Sequence, residues 1–278
     1  MTDDARTPPR VLVIAGSDSG GGAGIQADVK TGFAFGVHVS TAITAITAQN
    51  SVGVQGVWVL EAAVVREQIR SVLDDIGADV IKTGMLANAE IAELVADEIE
   101  RSGLPAVIDP VCVSTTGAAL LTDDALDVYR QRLIPLATVV TPNLPEVRAL
   151  TGISVEQVGD LRPAADAMLA LGCRWALIKG GHLDAAATDL LASPGEYVEL
   201  TGVRIDTANT HGTGCTLASA IAARLAYGDD VPAAVRAAKD FVTEGIRRGY
   251  PLGDGVGPIA QWLRSWGSTQ EGQLFSST

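Results

Sequence analysis

Val11-Leu12-Val13-Ile14-Ala15-Gly16-Ser17-Asp18-Ser19-Gly20-Gly21-Gly22-Ala23-Gly24 is the stretch from which the rest of the chain can be read. Its first five residues form an unbroken apolar run, too short for a buried helix and without the alternation of a half-exposed strand. Such a run reads as a strand buried on both faces. A loop over Gly16–Gly22 follows, then a helix over Ala23–Phe35. The four glycines between Gly20 and Gly24 exceed what a plain strand–helix turn needs, and they let a main chain come close to a ligand. No Gly-Lys-Ser/Thr follows, so this is not a Walker loop, and the spacing is not that of a dinucleotide fingerprint.

Outward from this stretch the same alternation recurs. Strands are expected at Val39–Thr47, Val54–Leu60, Val80–Lys82, Ala106–Ile108, Thr138–Val140 and Trp175–Ile178. Helices are expected at Ala62–Ile76, Ala89–Arg101, Asp124–Leu133, Pro163–Leu171, Gly214–Ala226 and Pro232–Arg247. Short apolar strands alternating with helices imply an α/β fold with a mostly parallel sheet covered on both faces. In such sheets ligands bind beyond the carboxyl ends of the strands. A single domain over 11–266 is expected, with loose polar tails at 1–10 and 267–278 and no linker or repeat between them.

Composition narrows the function. The 278 residues carry 20 Lys+Arg against 33 Asp+Glu, a net charge of −13. That balance argues against nucleic acid and against an anionic membrane surface as partners. No uncharged apolar run reaches the ~20 residues of a membrane span, and the polar N-terminus has no signal core. The three cysteines, Cys112, Cys173 and Cys215, are widely spaced and form neither a disulfide framework nor a zinc motif. They suit a reducing, cytoplasmic setting.

Most chemistry-bearing clusters follow strands. Gln49 closes the second strand, where its amide could read a heterocycle edge or simply be a polar strand end. Met85, in Lys82-Thr83-Gly84-Met85-Leu86, reads as core or pocket wall. In Ile108-Asp109-Pro110-Val111 a carboxylate stands at a strand end. In Thr141-Pro142-Asn143-Leu144-Pro145-Glu146, Asn143 and Glu146 straddle a helix start. Asp109 and Glu146 together could hold a hydrated Mg2+, while Glu146 fits a helix cap equally well. Lys179, in Ile178-Lys179-Gly180-Gly181-His182, could touch phosphate or serve a turn. In Asn209-Thr210-His211-Gly212-Thr213-Gly214-Cys215-Thr216, a Gly-Thr-Gly turn opens a small-residue helix. Its free N–H groups suit an anion. Cys215 lies in the first turn, where the helix dipole lowers a thiol's pKa. Gly253-Asp254-Gly255-Val256-Gly257-Pro258 is a further glycine loop whose chemistry assigns no role.

In order along the chain, AGSDSGGGAGIQADVKT, ITAITAQNSVGVQGV, KTGML, IDPV, TPNLPE, IKGGHL, NTHGTGCT and GVGP resemble the ribokinase-like kinases over residues 11–262. They are most similar to the bacterial hydroxymethylpyrimidine/phosphomethylpyrimidine kinase family of thiamine biosynthesis. Sugar kinases of the superfamily carry an aspartate where Cys215 stands. The resemblance implies a three-layer α/β/α fold, ATP and Mg2+ as cofactors, and a homodimer. It places Gly16, Ala23, Asp28, Gln49, Met85 and Val111 around the pyrimidine. Asp28 and Gln49 would read its ring nitrogens and amino group. Asp109, Asn143 and Glu146 would lie on the Mg2+ side, and Lys179 on the ATP phosphates. Thr207, Asn209 and Val242 would lie by the nucleotide. Gly212, Thr213 and Gly214 would form an anion hole, with Cys215 as the base. Some relatives have a lysine after Asp-Pro-Val, where this chain reads Cys112-Val113-Ser114-Thr115-Thr116-Gly117. A pyridoxal kinase, or a non-catalytic pyrimidine-binding protein of the same fold, are the alternatives.

Overall fold

In the computed structural model, which describes residues 7–112, 122–181, 183 and 186–262, the quoted stretch is the centre of the molecule. Strand β1 (Arg10–Asp18) has β2 (His38–Asn50) on one side and β4 (Val80–Thr83) on the other, both parallel to it. Beyond β4 lie β5 (Ala106–Ile108), β6 (Val139–Val140) and β7 (Ala176–Ile178), again parallel. Three strands join the two edges of this sheet through antiparallel pairings. They are β3 (Gly53–Val59) beside β2, and the hairpin β8 (Ala186–Ser193) and β9 (Glu196–Val203) beside β7. The order is β3-β2-β1-β4-β5-β6-β7-β8-β9.

Side chains of β1 alternate between two cores. Leu12 and Ile14 join the cluster under α2 (Ala62–Ser71), α3 (Ala89–Ser102), α4 (Asp123–Val128), α5 (Ile134–Leu136), α6 (Leu144–Thr151) and α7 (Leu161–Ala170). Val11, Val13 and Ala15 join the other, under α1 (Gly24–Phe35), α8 (Thr213–Ala226) and α9 (Val231–Arg247). This is the expected three-layer arrangement, and it explains why β1 is apolar without alternation. Helix α9 buries Ala234, Val235, Ala238, Phe241, Val242 and Gly245, a stripe at helical spacing. Its start is capped by Asp230, whose carboxylate accepts from Ala233 N at 2.8 Å.

Three differences from the sequence reading have local causes. Arg10, placed with the tail, opens β1 and pairs with Asp79 at 2.8 Å; residues 1–6 and 267–278 of the expected tails lie outside the described residues. The helix expected at Asp124–Leu133 is α4 followed by a π-helical turn, Tyr129–Leu133. The β8–β9 hairpin was not foreseen, although Pro194-Gly195 stands between its strands and Gly195 adopts φ +85°, as a Pro-Gly turn requires.

Beneath the sheet's carboxyl edge lies a fully buried ion pair. Lys82 of β4 reaches Asp28 of α1 at 2.8 Å, and both side chains are 0% exposed. Ser219 of α8 donates to the same carboxylate oxygen at 2.6 Å, so three elements meet on one charge. Breaking such a pair by removing one partner is costly because the other charge stays buried. Lys82→Met is expected to lower the free energy of unfolding by roughly 3–5 kcal/mol, and the double variant Lys82→Met, Asp28→Leu to recover most of that loss, both read by urea denaturation.

Candidate active site

The carboxyl ends of the parallel strands open into one cavity of about 840 Å³. It lies where the chain leaves β1 for β2 on one side and β4 on the other, the switch point of an open sheet. One end is lined by Gly16, Ala23, Gln49, Met85 and Val111. Gly16 interrupts the β1–β2 register, and a Cβ there would sit 2.5 Å from Met85 Cε, so the missing side chain is what lets the methionine line the floor. Further along the wall come Asp109, Asn143, Glu146 and Lys179, then Gly212, Thr213, Gly214 and Cys215, and at the far end Thr207 and Val242.

Two expected site residues are not in this wall. Asp28 is fully buried beneath it, with Oδ1 held by Lys82 and Ser219. Asn209 packs against Gly249 and Gly257, where a Cβ on either glycine would collide with its side chain, and its N–H is held by Thr207 Oγ1 at 3.1 Å. The residues after Cys112 in Cys112–Gly117, and His182, lie outside the described residues.

The charged centre is a lysine between two carboxylates. Lys179 Nζ lies 3.1 Å from Asp109 Oδ1 and 3.9 Å from Glu146 Oε2, and Thr141 Oγ1 donates to Asp109 Oδ1 at 2.9 Å. Glu146 and Asn143 form a capping box at the start of α6. Asn143 N donates to Glu146 Oε2 at 2.7 Å, and Glu146 N to Asn143 Oδ1 at 2.9 Å. The helix cap and a place in the cavity wall thus belong to one side chain. For Asn143 the side-chain oxygen is committed to the cap, where it accepts from Glu146 N. Burial, with Asp109 nearby, pushes the Glu146 carboxyl up to about 7 despite Lys179 and the N–H groups of Asn143 and Cys112. The same carboxylates raise the Lys179 ammonium against the effect of its burial.

Among the described residues no three His, Cys, Asp or Glu side chains form a metal cage. The donors present suit Mg2+ nonetheless, since that ion keeps waters and takes one or two carboxylates plus phosphate oxygens. The cluster holds two carboxylates to one lysine, and the high Glu146 pKa marks negative charge that a divalent cation would offset.

The Gly212–Gly214 turn packs against this cluster. Gly212 caps α8 at φ +83°, and a Cβ there would collide with Gly22 O. The N–H groups of Gly214 and Cys215, in the first turn, have no carbonyl partner within the helix, and both residues line the cavity. A Cβ on Gly214 would lie 3.5 Å from Lys179 Nζ and 3.7 Å from Asp109 Oδ2, which places the turn against the charged cluster. Cys215 does not have the depressed pKa that its helix position suggested. Burial pushes the thiol up to about 11, Asp28 and Asp109 add to that, and Lys82 and the Gly24 N–H only partly offset it. Cys112, also buried, is pushed up to about 12.

The sequence reading assigned no role to Asp18, Lys82 or His211. Asp18 and His211 line the cavity, bonded to each other at 2.9 Å, and Gln49 Nε2 lies 3.4 Å from the same ring nitrogen. A signal for Lys82 existed, because a lysine inside a strand of otherwise buried residues demands a buried partner.

A parallel-centred α/β/α sandwich with a glycine-rich helix start against a lysine–carboxylate cluster is the architecture of a ribokinase-like kinase. The chain belongs to the phosphomethylpyrimidine kinase family, whose model matches residues 18–260. It is 58% identical over 253 residues to the hydroxymethylpyrimidine/phosphomethylpyrimidine kinase of Streptomyces coelicolor, covering 91% of this chain and 94% of that one. Among solved structures it is similar to an ADP complex of Bacillus subtilis pyridoxal kinase, with TM-score 0.86 and 41% identity over 91% of this chain and 97% of that one. It is also similar to the phosphomethylpyrimidine kinase of Clostridium difficile, with TM-score 0.76 and 39% identity over 86% and 99% of the two chains.

The Glu146 shift has a consequence for stability. Its folded pKa of about 7 lies above the ordinary 4.5, so the folded state binds that proton more tightly than the unfolded state. Stability therefore declines as pH rises between those two values. Without divalent cations, the melting temperature of Glu146→Gln relative to the unaltered protein is expected to rise from pH 5 to pH 7.5 and then level off, in thermal unfolding with chelator present. A difference independent of pH would contradict the assignment.

Proposed function

We propose that this chain is an ATP-dependent kinase that phosphorylates 4-amino-5-hydroxymethyl-2-methylpyrimidine to its monophosphate and then to the pyrophosphate, in cytoplasmic thiamine biosynthesis. The observation that carries the reading is the single cavity that joins Gly16, Ala23, Gln49 and Met85 to the Gly212–Gly214 turn and the Lys179 cluster. A flat heterocycle fits the first end, and phosphates suit the second. The family match supports it over the whole domain.

In this reading Lys179 and the first-turn N–H groups of α8 hold the transferring phosphoryl group, which needs positioning and charge stabilisation more than covalent chemistry. Mg2+ held on the Asp109 and Glu146 side would neutralise phosphate charge. In the first transfer the substrate oxygen bonds to the γ-phosphorus as the bond to ADP breaks, and the hydroxyl proton passes to the thiolate form of Cys215, which becomes the thiol. In the second, the acceptor is a phosphate monoester already anionic at neutral pH, so no base is required.

With a thiol at about 11, little thiolate exists at neutral pH. If Cys215 acts as base, the first-step rate rises with pH on the order of tenfold per unit through the neutral range, while the second step does not follow it. Cys215→Ala is expected to slow the first transfer far more than the second, in single-step assays started from the alcohol or the monophosphate. Equal losses would leave Cys215 a purely geometric role.

The identifying experiment follows products by mass after incubation with MgATP and the hydroxymethylpyrimidine. Monophosphate followed by pyrophosphate is the expected result. The similarity to a pyridoxal kinase favours one competing reading. Monophosphate alone, with pyridoxal phosphorylated as well, would support it. Binding without product would point to a non-catalytic protein.

We propose further that the chain is a homodimer. Edge strand β3 and its neighbour β2 expose Ile46 and Trp58, which pair across the strands and share one side of the sheet, an apolar pair that a second copy would cover. Trp58→Lys is expected to shift the sedimentation coefficient from dimer to monomer.

A further inference from the structure

The glycine loop after β1 and the turn before α8 touch along their main chains, and one carboxylate ties them together. Asp18 is 2% exposed. Its Oδ1 accepts from Gly20 N at 2.8 Å, and its Oδ2 from Gly22 N at 3.0 Å and Ala23 N at 2.8 Å. The same Oδ2 lies 2.9 Å from His211 Nε2, on the residue just before Gly212. Burial works against ionisation, yet His211 and these N–H groups hold the carboxyl below its usual range. An ionised carboxylate only accepts, so His211 Nε2 carries the hydrogen and donates it. The glycine pattern belongs to this contact. A Cβ on Gly22 would collide with the His211 ring, and one on Gly212 with Gly22 O.

A third segment braces the pair. His211 N donates to Gly257 O at 3.0 Å and Ile259 N to His211 O at 3.2 Å, while Gln261 Nε2 donates to Gly22 O at 2.6 Å. The closing glycine loop, which had no chemistry of its own, thus packs behind the histidine.

We propose that Asp18 and His211 form a clasp that holds the acceptor end of the cavity and the anion-binding turn as one unit, and so sets the distance between the acceptor and the transferred phosphoryl group. Both are positioning residues, and this role rests on the kinase reading above. Ala23 and Gln49 stand on the acceptor side of the clasp; Gly212, Thr213 and Gly214 stand on the other. Phosphoryl transfer depends on alignment to within about an ångström, and misplacement on that scale costs on the order of 100-fold. Cys215 bears on one transfer in particular, whereas the clasp bears on both.

The test uses the full chain and two readouts. Hydrogen exchange followed by mass, without substrate, is expected to speed up in His211→Leu in peptides covering both Gly20–Ala23 and Gly212–Cys215. Asp18→Asn should give the same pattern. Turnover of both transfers is expected to fall by similar factors, about 10- to 100-fold, with the KM for MgATP changed less than about threefold. His211→Gln, which keeps an N–H at the end of its side chain, should recover most of the rate. The double variant Asp18→Asn, His211→Leu should lose no more than the worse single one. Faster exchange confined to the substituted loop, or single losses that multiply in the double variant, would overturn the clasp. If Asp18→Asn does not fold, the His211→Leu and His211→Gln pair decides alone. If the unaltered protein phosphorylates neither the pyrimidine nor pyridoxal, the kinase reading fails and the exchange result still decides whether the clasp exists.

Discussion

A parallel sheet buried on both faces has only its strand ends free for polar chemistry. That constraint organises this protein. The strands from β1 to β7 spend their middles on two apolar cores, and their carboxyl ends supply Asp18, Gln49, Asp109, Glu146 and Lys179 to the cavity wall, which the start of α8, the β8–β9 hairpin and α9 complete. Because β1 lies centrally, its neighbours β2 and β4 diverge on either side of it, and the cavity forms in the gap. The antiparallel edges are β3 and the β8–β9 hairpin, and the hairpin adds Asp189 and Gly202 to the wall of the same cavity.

Charge at the strand ends is held by pairing. Lys179 allows Asp109 and Glu146 to stand together away from bulk water, and the cap of α6 fixes one of them. Lys82 and Asp28 form a second pair one layer deeper. Its effect reaches the site through Cys215, where Lys82 favours the thiolate and Asp28 opposes it. The thiol shows which force prevails. A helix dipole is worth about 0.3–1 kcal/mol in the first turn, less than the ~1.4 kcal/mol of one pKa unit. Burial raises the thiol from 9.0 to about 11 and outweighs it.

The glycines work as a set. Gly16 yields to Met85, Gly22 to His211, and Gly212 to the carbonyl of Gly22. Each missing side chain permits one close approach, and the approaches together bring three loops from distant parts of the chain around the same cavity. Asp18, a single acceptor with no alternative charge state at neutral pH, then fixes the loops it touches.

The sequence by itself determined the layered α/β class, the order of the parallel strands' elements, and the strand-end position of cavity residues such as Gln49, Asp109, Glu146 and Lys179. Periodicity and strand-end position are local properties, and the motifs that resemble the kinase family are contiguous. The Pro194-Gly195 hairpin was equally local and legible from its turn residues. What only the tertiary structure decided depends on contacts between distant segments. Asp28 turns inward because Lys82, 54 residues away, claims its carboxylate. Asn209 packs against glycines from the end of the domain. Glu146 caps a helix and faces Lys179 at once, a dual role that spacing alone left as two alternatives. The thiol of Cys215 is set by burial, a quantity no local pattern carries. Asp18 and His211, 193 residues apart, meet only because the sheet brings the first loop and the start of α8 to the same edge.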